Sequence, residues 1–129
     1  MLKRISSKML SEAVGSYSPA TKIGNLIFTS GQLPINGKKG KIDFPNSVEK
    51  QVEQSMKNIK YILEDNNSSL ENIIKTTVYL QSIEYFSKFN NVYKNFFTNK
   101  FPARTAFEAG NLPMGALVEI EVIAFAEEN

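Results

Sequence analysis

The residues best suited to chemistry lie near the end of the chain. They fall in Pro102-Ala103-Arg104-Thr105-Ala106-Phe107-Glu108-Ala109-Gly110 and, past Asn111-Leu112-Pro113, in Val118-Glu119-Ile120-Glu121. Both stretches alternate with the period of two that marks a strand, and Gly110, Pro113 and Gly115 punctuate a turn between them. Arg104, Ala106 and Glu108 share one face of the first strand; Ala103, Thr105, Phe107 and Ala109 share the other. In the second strand Val118, Ile120, Val122 and Ala124 form a wholly apolar face, and Leu117, Glu119, Glu121, Ile123 and Phe125 a mixed one. A guanidinium at the start of one strand and carboxylates in the next can converge on one small anion. Arg104 suits a clamp, because guanidinium grips a carboxylate through two parallel hydrogen bonds. Glu119 suits acid–base work, with a pKa raised by burial, and Glu121 on the same face is its rival.

Each of these residues has a plainer reading. Arg104 serves equally as a structural ion-pair partner, and most strand glutamates are solvated. Tyr17 sits in the turn-rich loop Val14-Gly15-Ser16-Tyr17-Ser18-Pro19, where it either closes a cleft with its hydroxyl or is half-buried. Ser30 and the Gly31 backbone can donate hydrogen bonds where an apolar strand ends, although a glycine there also suits a turn. Asn90, on a helix, fits a bridge within the structure better than a substrate contact. Lys75 could form a Schiff base, but a charged lysine beside a carboxylate fits better.

Two absences narrow the chemistry. The 129-residue chain has no His and no Cys. Zinc sites of the usual N/S type and Ser-His-Asp or Cys-His nucleophiles are excluded, so any proton transfer falls to Asp, Glu, Lys, Tyr, a terminus or water. A net charge of +2 gives no footprint for a nucleic-acid or membrane partner. No apolar run reaches membrane-span length, no signal peptide follows the charged start, and no disulfide is possible. An intracellular, cytoplasmic protein is expected. At 42% apolar and 11% aromatic residues, one folded domain over 1–129 is expected.

The elements that must position the site follow in order. Residues 2–6 read as a short strand. Residues 21–23 and 26–30 flank Gly24-Asn25 as a hairpin, and Leu26-Ile27-Phe28-Thr29 reads as a buried strand. Residues 35–42, with Lys38, Lys39 and Lys41, form an exposed loop or edge hairpin. Asn46 is the expected cap of a first helix, with Glu49 as its capping-box partner. Val48, Val52, Met56, Ile59 and Leu63 recur along that helix at helical spacing. Residues 73–80 alternate as a strand. Ser82 caps a second helix over 83–97, where Phe86, Phe89, Val92 or Tyr93, Phe96 and Phe97 make a core stripe. The fold class is α+β, a mixed sheet with two helices on one face. The uncovered face, with Tyr79, Ile123 and Phe125, calls for another subunit.

At Pro102-Ala103-Arg104 and Val118-Glu119-Ile120-Glu121 the chain resembles the reactive intermediate deaminase A (RidA, formerly YjgF) family. Gly15-Ser16-Tyr17-Ser18-Pro19-Ala20 is similar to the family's G-P-Y-S-x-A loop, with Ser16 for the usual Pro. Asn25-Leu26-Ile27-Phe28-Thr29-Ser30-Gly31-Gln32 resembles its N-L-(I/V)-(F/Y)-(T/V)-S-G-Q strand. Ile74-Lys75-Thr76-Thr77-Val78-Tyr79-Leu80 and Phe89-Asn90-Asn91-Val92-Tyr93 resemble two further segments. The resemblance implies a chorismate-mutase-like fold and a homotrimer, a trimeric barrel with three clefts between subunits, without metal or organic cofactor. It implies hydrolysis of 2-imino acids, or their enamine tautomers, to 2-oxo acids and ammonia; such intermediates escape from pyridoxal-phosphate enzymes. The branch with this activity carries the strand arginine that matches Arg104. The family motif also favours Glu119 as the catalytic carboxylate; with it, Arg104 and Tyr17 are the expected catalytic residues, and Arg104, Tyr17, Ser30, Gly31 and Asn90 the expected substrate contacts. The family's frequent Cys is Ala106 here, which removes thiol roles. A non-catalytic trimeric binding module is the alternative from another class, and RNA cleavage has no support without His or a basic stripe.

Overall fold

The computed structural model describes residues 1–128. Strands β1 (Lys3–Ile5), β2 (Ala20–Ile23) and β3 (Leu26–Thr29) come first, followed by a small hairpin of β4 (Ile35–Asn36) and β5 (Lys41–Ile42). Helix α1 (Val48–Glu64), β6 (Ile73–Leu80), helix α2 (Phe86–Tyr93), β7 (Ala103–Glu108) and β8 (Val118–Phe125) complete the chain. Six strands form one mixed sheet in the order β1-β2-β3-β8-β6-β7. Its pairs are antiparallel except β6 with β7, and a parallel pair needs the crossover that α2 supplies.

Both helices lie on one face, as expected, and α1 packs on β8 and α2. The core between the layers holds Ile27, Val52, Met56, Ile59, Leu63, Val78, Leu80, Phe89, Val118, Ile120 and Val122. The alternation of β8 appears as read: Val118, Ile120, Val122 and Ala124 are buried. Buried amides fasten the layers. Gln51 donates to the Phe44 carbonyl at 2.8 Å and accepts from Leu117 N–H at 2.8 Å. Asn58 donates to the carbonyls of Leu33 (3.2 Å) and Ile35 (3.0 Å).

Several local expectations are corrected. The cap of α1 is Ser47, not Asn46: its hydroxyl accepts from Lys50 N–H at 3.2 Å. Val48 must face the core from the first helical position, which fixes the start one residue later and leaves Lys50, not Glu49, at the capping-box place. The β3 strand is not buried throughout. Ile27 is fully buried but Phe28 is 39% exposed, because only one face of this strand meets the helices. In β6 the register shifts between Ile73 and Lys75, so Ile73 is buried and Ile74 exposed; an extra residue flips the parity that strict alternation assigns. The second helix is shorter than 83–97: α2 is flanked by 3₁₀ turns at Ile83–Tyr85 and Lys94–Phe96. Ser82 caps the first of these, accepting from Glu84 N–H at 3.2 Å. Among the described residues no helix is long and apolar enough to cross a membrane.

Candidate functional site

Beside the loop that follows β3 lies a cavity of about 720 Å³ whose lining includes Tyr17, Ser30, Gly31, Met114 and Glu119. Its floor arises where β3 leaves β8. The ladder runs to Phe28 opposite Ile123 and resumes with Gln32 opposite Ile120, so β3 has one residue more than β8 in that interval. Thr29 covers the irregularity by accepting from Val122 N–H through its hydroxyl at 3.0 Å. Gln32 and Ile120 then exchange backbone hydrogen bonds of 2.7 and 3.2 Å. Ser30 and Gly31 are thereby displaced beside Glu119. A Cβ on Gly31 would lie 2.3 Å from Glu119 Oε2, so any larger residue would push the carboxylate away. Ser30 donates its hydroxyl to the Ser18 carbonyl at 2.6 Å, and its N–H meets the Pro19 carbonyl at 2.8 Å. These two bonds tie the loop of Tyr17 to the floor, and Tyr17 stands more than half exposed at the rim. Met114, also in the lining, and Gly115 adopt successive left-handed conformations (φ 60° and 69°) just before β8.

Glu119 is half-buried in this setting. Burial raises its pKa above the ordinary carboxyl value, and the nearby charge of Glu121 raises it further. Glu121 is engaged differently, accepting a short hydrogen bond from the Tyr79 hydroxyl. That bond, with burial and the charges of Glu121 and Glu119, pushes the Tyr79 phenol up to about 12, so the proton stays on tyrosine. Of the two rival carboxylates, Glu119 is the one turned into the cavity.

Arg104 is elsewhere. It sits opposite Thr76, which pairs on its other side with Val122, and both of these are buried beneath the helices. Glu119 sits opposite Tyr79, whose neighbour on β7 is Phe107, on the uncovered face. Arg104 and Glu119 therefore project from opposite faces of the sheet. The expected convergence of guanidinium and carboxylate does not occur within one chain, because β6 lies between β7 and β8 and the register gives the two residues opposite parity. Arg104 instead lies against α2, donating from Nη1 to Asn90 Oδ1 at 2.7 Å. Its Cζ is 5.3, 5.5 and 5.1 Å from the ring centroids of Phe86, Phe89 and Tyr93.

The six sequence-predicted residues thus divide into Tyr17, Ser30, Gly31 and Glu119 on one side and Arg104 with Asn90 on the other. Lys75 is exposed. Two features escaped the sequence reading: the Tyr79–Glu121 bond, and the aromatic bed of Arg104. Tyr79 lies one diagonal step from Glu121 in the β6–β8 register, a relation visible only once strands are paired. The bed was legible as an apolar stripe on α2, but its role depends on β7 lying beside it. Among the described residues, no cluster of three or more His, Cys, Asp or Glu side chains could hold a metal.

Comparison with known proteins places the chain in a family. The family model described as Endoribonuclease L-PSP matches residues 8–126. The chain belongs to this family, the RidA/YjgF family that its motifs resemble. A RutC family protein of Pyrococcus abyssi is 42% identical over 114 residues, covering 88% of this chain and 89% of that one. The 2-iminobutanoate/2-iminopropanoate deaminase of Escherichia coli is 39% identical over 127 residues, covering 96% and 98%. The crystal structure of YyfA from Yersinia pestis, a Rid protein of unknown function, superimposes with a TM-score of 0.93 at 38% identity, covering 98% and 100%.

Proposed function

We propose that this protein is an imine/enamine deaminase that hydrolyses 2-iminobutanoate, 2-iminopropanoate and related small 2-imino acids to 2-oxo acids and ammonia. The observation that carries it is Glu119: a carboxylate of raised pKa, held against Gly31 at the floor of a cavity with Tyr17 and Ser30. A site that only bound carboxylates would gain nothing from a second carboxylate there. Family membership and the deaminase relative support the same reading.

The reaction needs three things of the chain. The substrate carboxylate is held by Arg104 through paired hydrogen bonds. Because Arg104 faces away from the cavity of its own chain, the clamp is supplied by a second copy, and the working unit is a homotrimer with clefts between subunits. The exposed Phe28, Phe107 and Phe125 on the uncovered sheet face give that assembly its apolar contact. Glu119 accepts a proton from water as the oxygen bonds to C2 of the imine, giving a tetrahedral carbinolamine. It gives that proton to the imine nitrogen to complete the NH2 group, then carries the hydroxyl proton to the same nitrogen as the C–N bond breaks, so that the carbonyl forms and ammonia leaves. Tyr17 closes the cleft and hydrogen-bonds the intermediate. No cofactor or metal takes part, and the cytoplasm, where imines are released by pyridoxal-phosphate enzymes, is the proposed setting.

The test is 2-oxo acid formation from freshly generated 2-iminobutanoate, with wild type against Arg104→Ala. Faster formation than in buffer, lowered roughly ten- to a hundredfold by the substitution, supports the proposal. Wild type that binds 2-oxobutanoate yet leaves the imine untouched would instead establish a binding module.

A further inference from the structure

The groups that hold Arg104 by hydrogen bond and ring contact are uncharged. Three are rings: Phe86, Phe89 and Tyr93, each with its centroid 5.1 to 5.5 Å from Cζ. The fourth is the Asn90 amide oxygen at 2.7 Å. Tyr93 is neutral too, since burial pushes its phenol up and its hydroxyl pairs with Thr76 Oγ1 at 2.9 Å. Among the described residues no carboxylate forms a salt bridge with Arg104. Glu108, on the same face of β7, is engaged by Ile83 N–H at 2.9 Å. The guanidinium is nevertheless exposed, with donors beyond the one given to Asn90.

An arginine that merely fastens a strand to a helix is usually paired with a carboxylate, which orients it and neutralises it together. Here orientation and neutralisation are separated. Ring faces attract the cation through their quadrupole and lie flat against it, yet carry no net charge. The amide oxygen fixes the rotation of the fork and accepts only one N–H.

We infer that Phe86 and Asn90 are positioning residues that orient Arg104 by neutral contacts, leaving its full charge open to a ligand carboxylate. This rests on the reading of Arg104 as the carboxylate clamp. Phe86 is the informative ring because it is only partly buried, whereas Phe89 and Tyr93 belong to the core. Asn90 is informative because aspartate has the same shape but brings the missing negative charge.

The experiment measures 2-oxobutanoate binding by calorimetry, together with thermal unfolding, for wild type, Phe86→Leu, Phe86→Tyr and Asn90→Asp. Phe86→Leu is expected to weaken binding about three- to thirtyfold, and Phe86→Tyr to restore most of it, since only the second keeps a π face. Asn90→Asp is expected to weaken binding about tenfold or more while the melting temperature stays level or rises, because the new ion pair holds Arg104 but neutralises it. A structural fastening predicts the same firm fold for Asn90→Asp but unchanged binding. That result, or equal effects of Phe86→Leu and Phe86→Tyr, would overturn the inference. Failure of wild type to bind 2-oxobutanoate would overturn the clamp itself. Normal binding without imine hydrolysis would remove the deaminase reading and leave this inference standing.

Discussion

Arg104 and Glu119 are held by opposite devices on opposite faces of one sheet. Arg104 lies against neutral groups that attract its charge without cancelling it. Glu119 lies in surroundings that disfavour its charge: it is half-buried and near the like charge of Glu121. The first arrangement orients a cation without neutralising it; the second makes a carboxyl group hold its proton more tightly. A binding group and an acid–base group would need these two environments, and a single small domain offers both by using the two faces of its sheet. In the proposed mechanism neither face completes the site alone, which is why the proposed clefts lie between copies.

Loss of the proton carrier should disturb this division of labour most. Glu119→Gln keeps the shape of the cavity floor and is expected to lower turnover by about 10²–10⁴-fold, measured as kcat for 2-oxo acid formation. Glu121→Gln is expected to do much less, and to move the carboxyl-governed limb of the pH profile to lower pH by relieving the like charge on Glu119. A larger loss for Glu121→Gln would reverse the assignment of the two carboxylates.

Removing the clamp is expected to cost less, roughly ten- to a hundredfold in kcat/KM for Arg104→Ala, from charged hydrogen bonds of ~1.5–3 kcal/mol. Arg104→Lys keeps the charge but loses the planar fork and should rescue poorly. Neither should change the melting behaviour, because the clamp acts on the ligand and not on the core. Unfolding or dissociation of Arg104→Ala would make it a structural residue. The two defects also test where the halves meet. Impaired Arg104→Ala and Glu119→Gln chains, unfolded and refolded together in equal amounts, should regain wild-type activity in about one cleft in four if each cleft draws on two subunits. No recovery in mixed trimers, or a stable monomer by sedimentation equilibrium, would remove the shared cleft.

Much of the frame was legible because its periodicities are strong. The buried face of β8 and the α1 stripe at Val48, Val52, Met56, Ile59 and Leu63 appear as read. The errors share one origin: residues whose neighbours in space are distant in sequence. Ile74 gave no warning that a bulge at its position would reverse its parity. Phe28 is as apolar as Ile27, yet only the placement of the helices makes one exposed and the other buried. The separation of Arg104 from Glu119 followed from β6 entering between their strands, a matter of topology that alternation along either strand cannot express. Candidate site residues could be named by chemistry and motif; which of them one chain brings together could not.

The smallest expected effect concerns stability and is the sharpest check on the environment assigned to Glu119. The folded state raises its pKa, first through burial and then through Glu121. The folded protein therefore binds this proton more tightly than the unfolded chain does. The favourable contribution is fully present below the unfolded value, about 4, and is lost as pH rises through the higher folded value. Above the folded value the wild-type protein bears the penalty of an ionised, half-buried carboxylate. The amide introduced by Glu119→Gln does not titrate, so the variant should melt slightly higher than wild type at pH 7, at equal protein concentration. Its advantage should shrink on acidification and vanish below about pH 4, where Glu119 is protonated in both states. A variant that loses turnover and gains stability in this pH-dependent way would show a carboxylate kept for chemistry at the expense of the fold. A variant less stable than wild type at neutral pH would show that Glu119 holds the structure together, and its surroundings would then have to be read as favouring its charge.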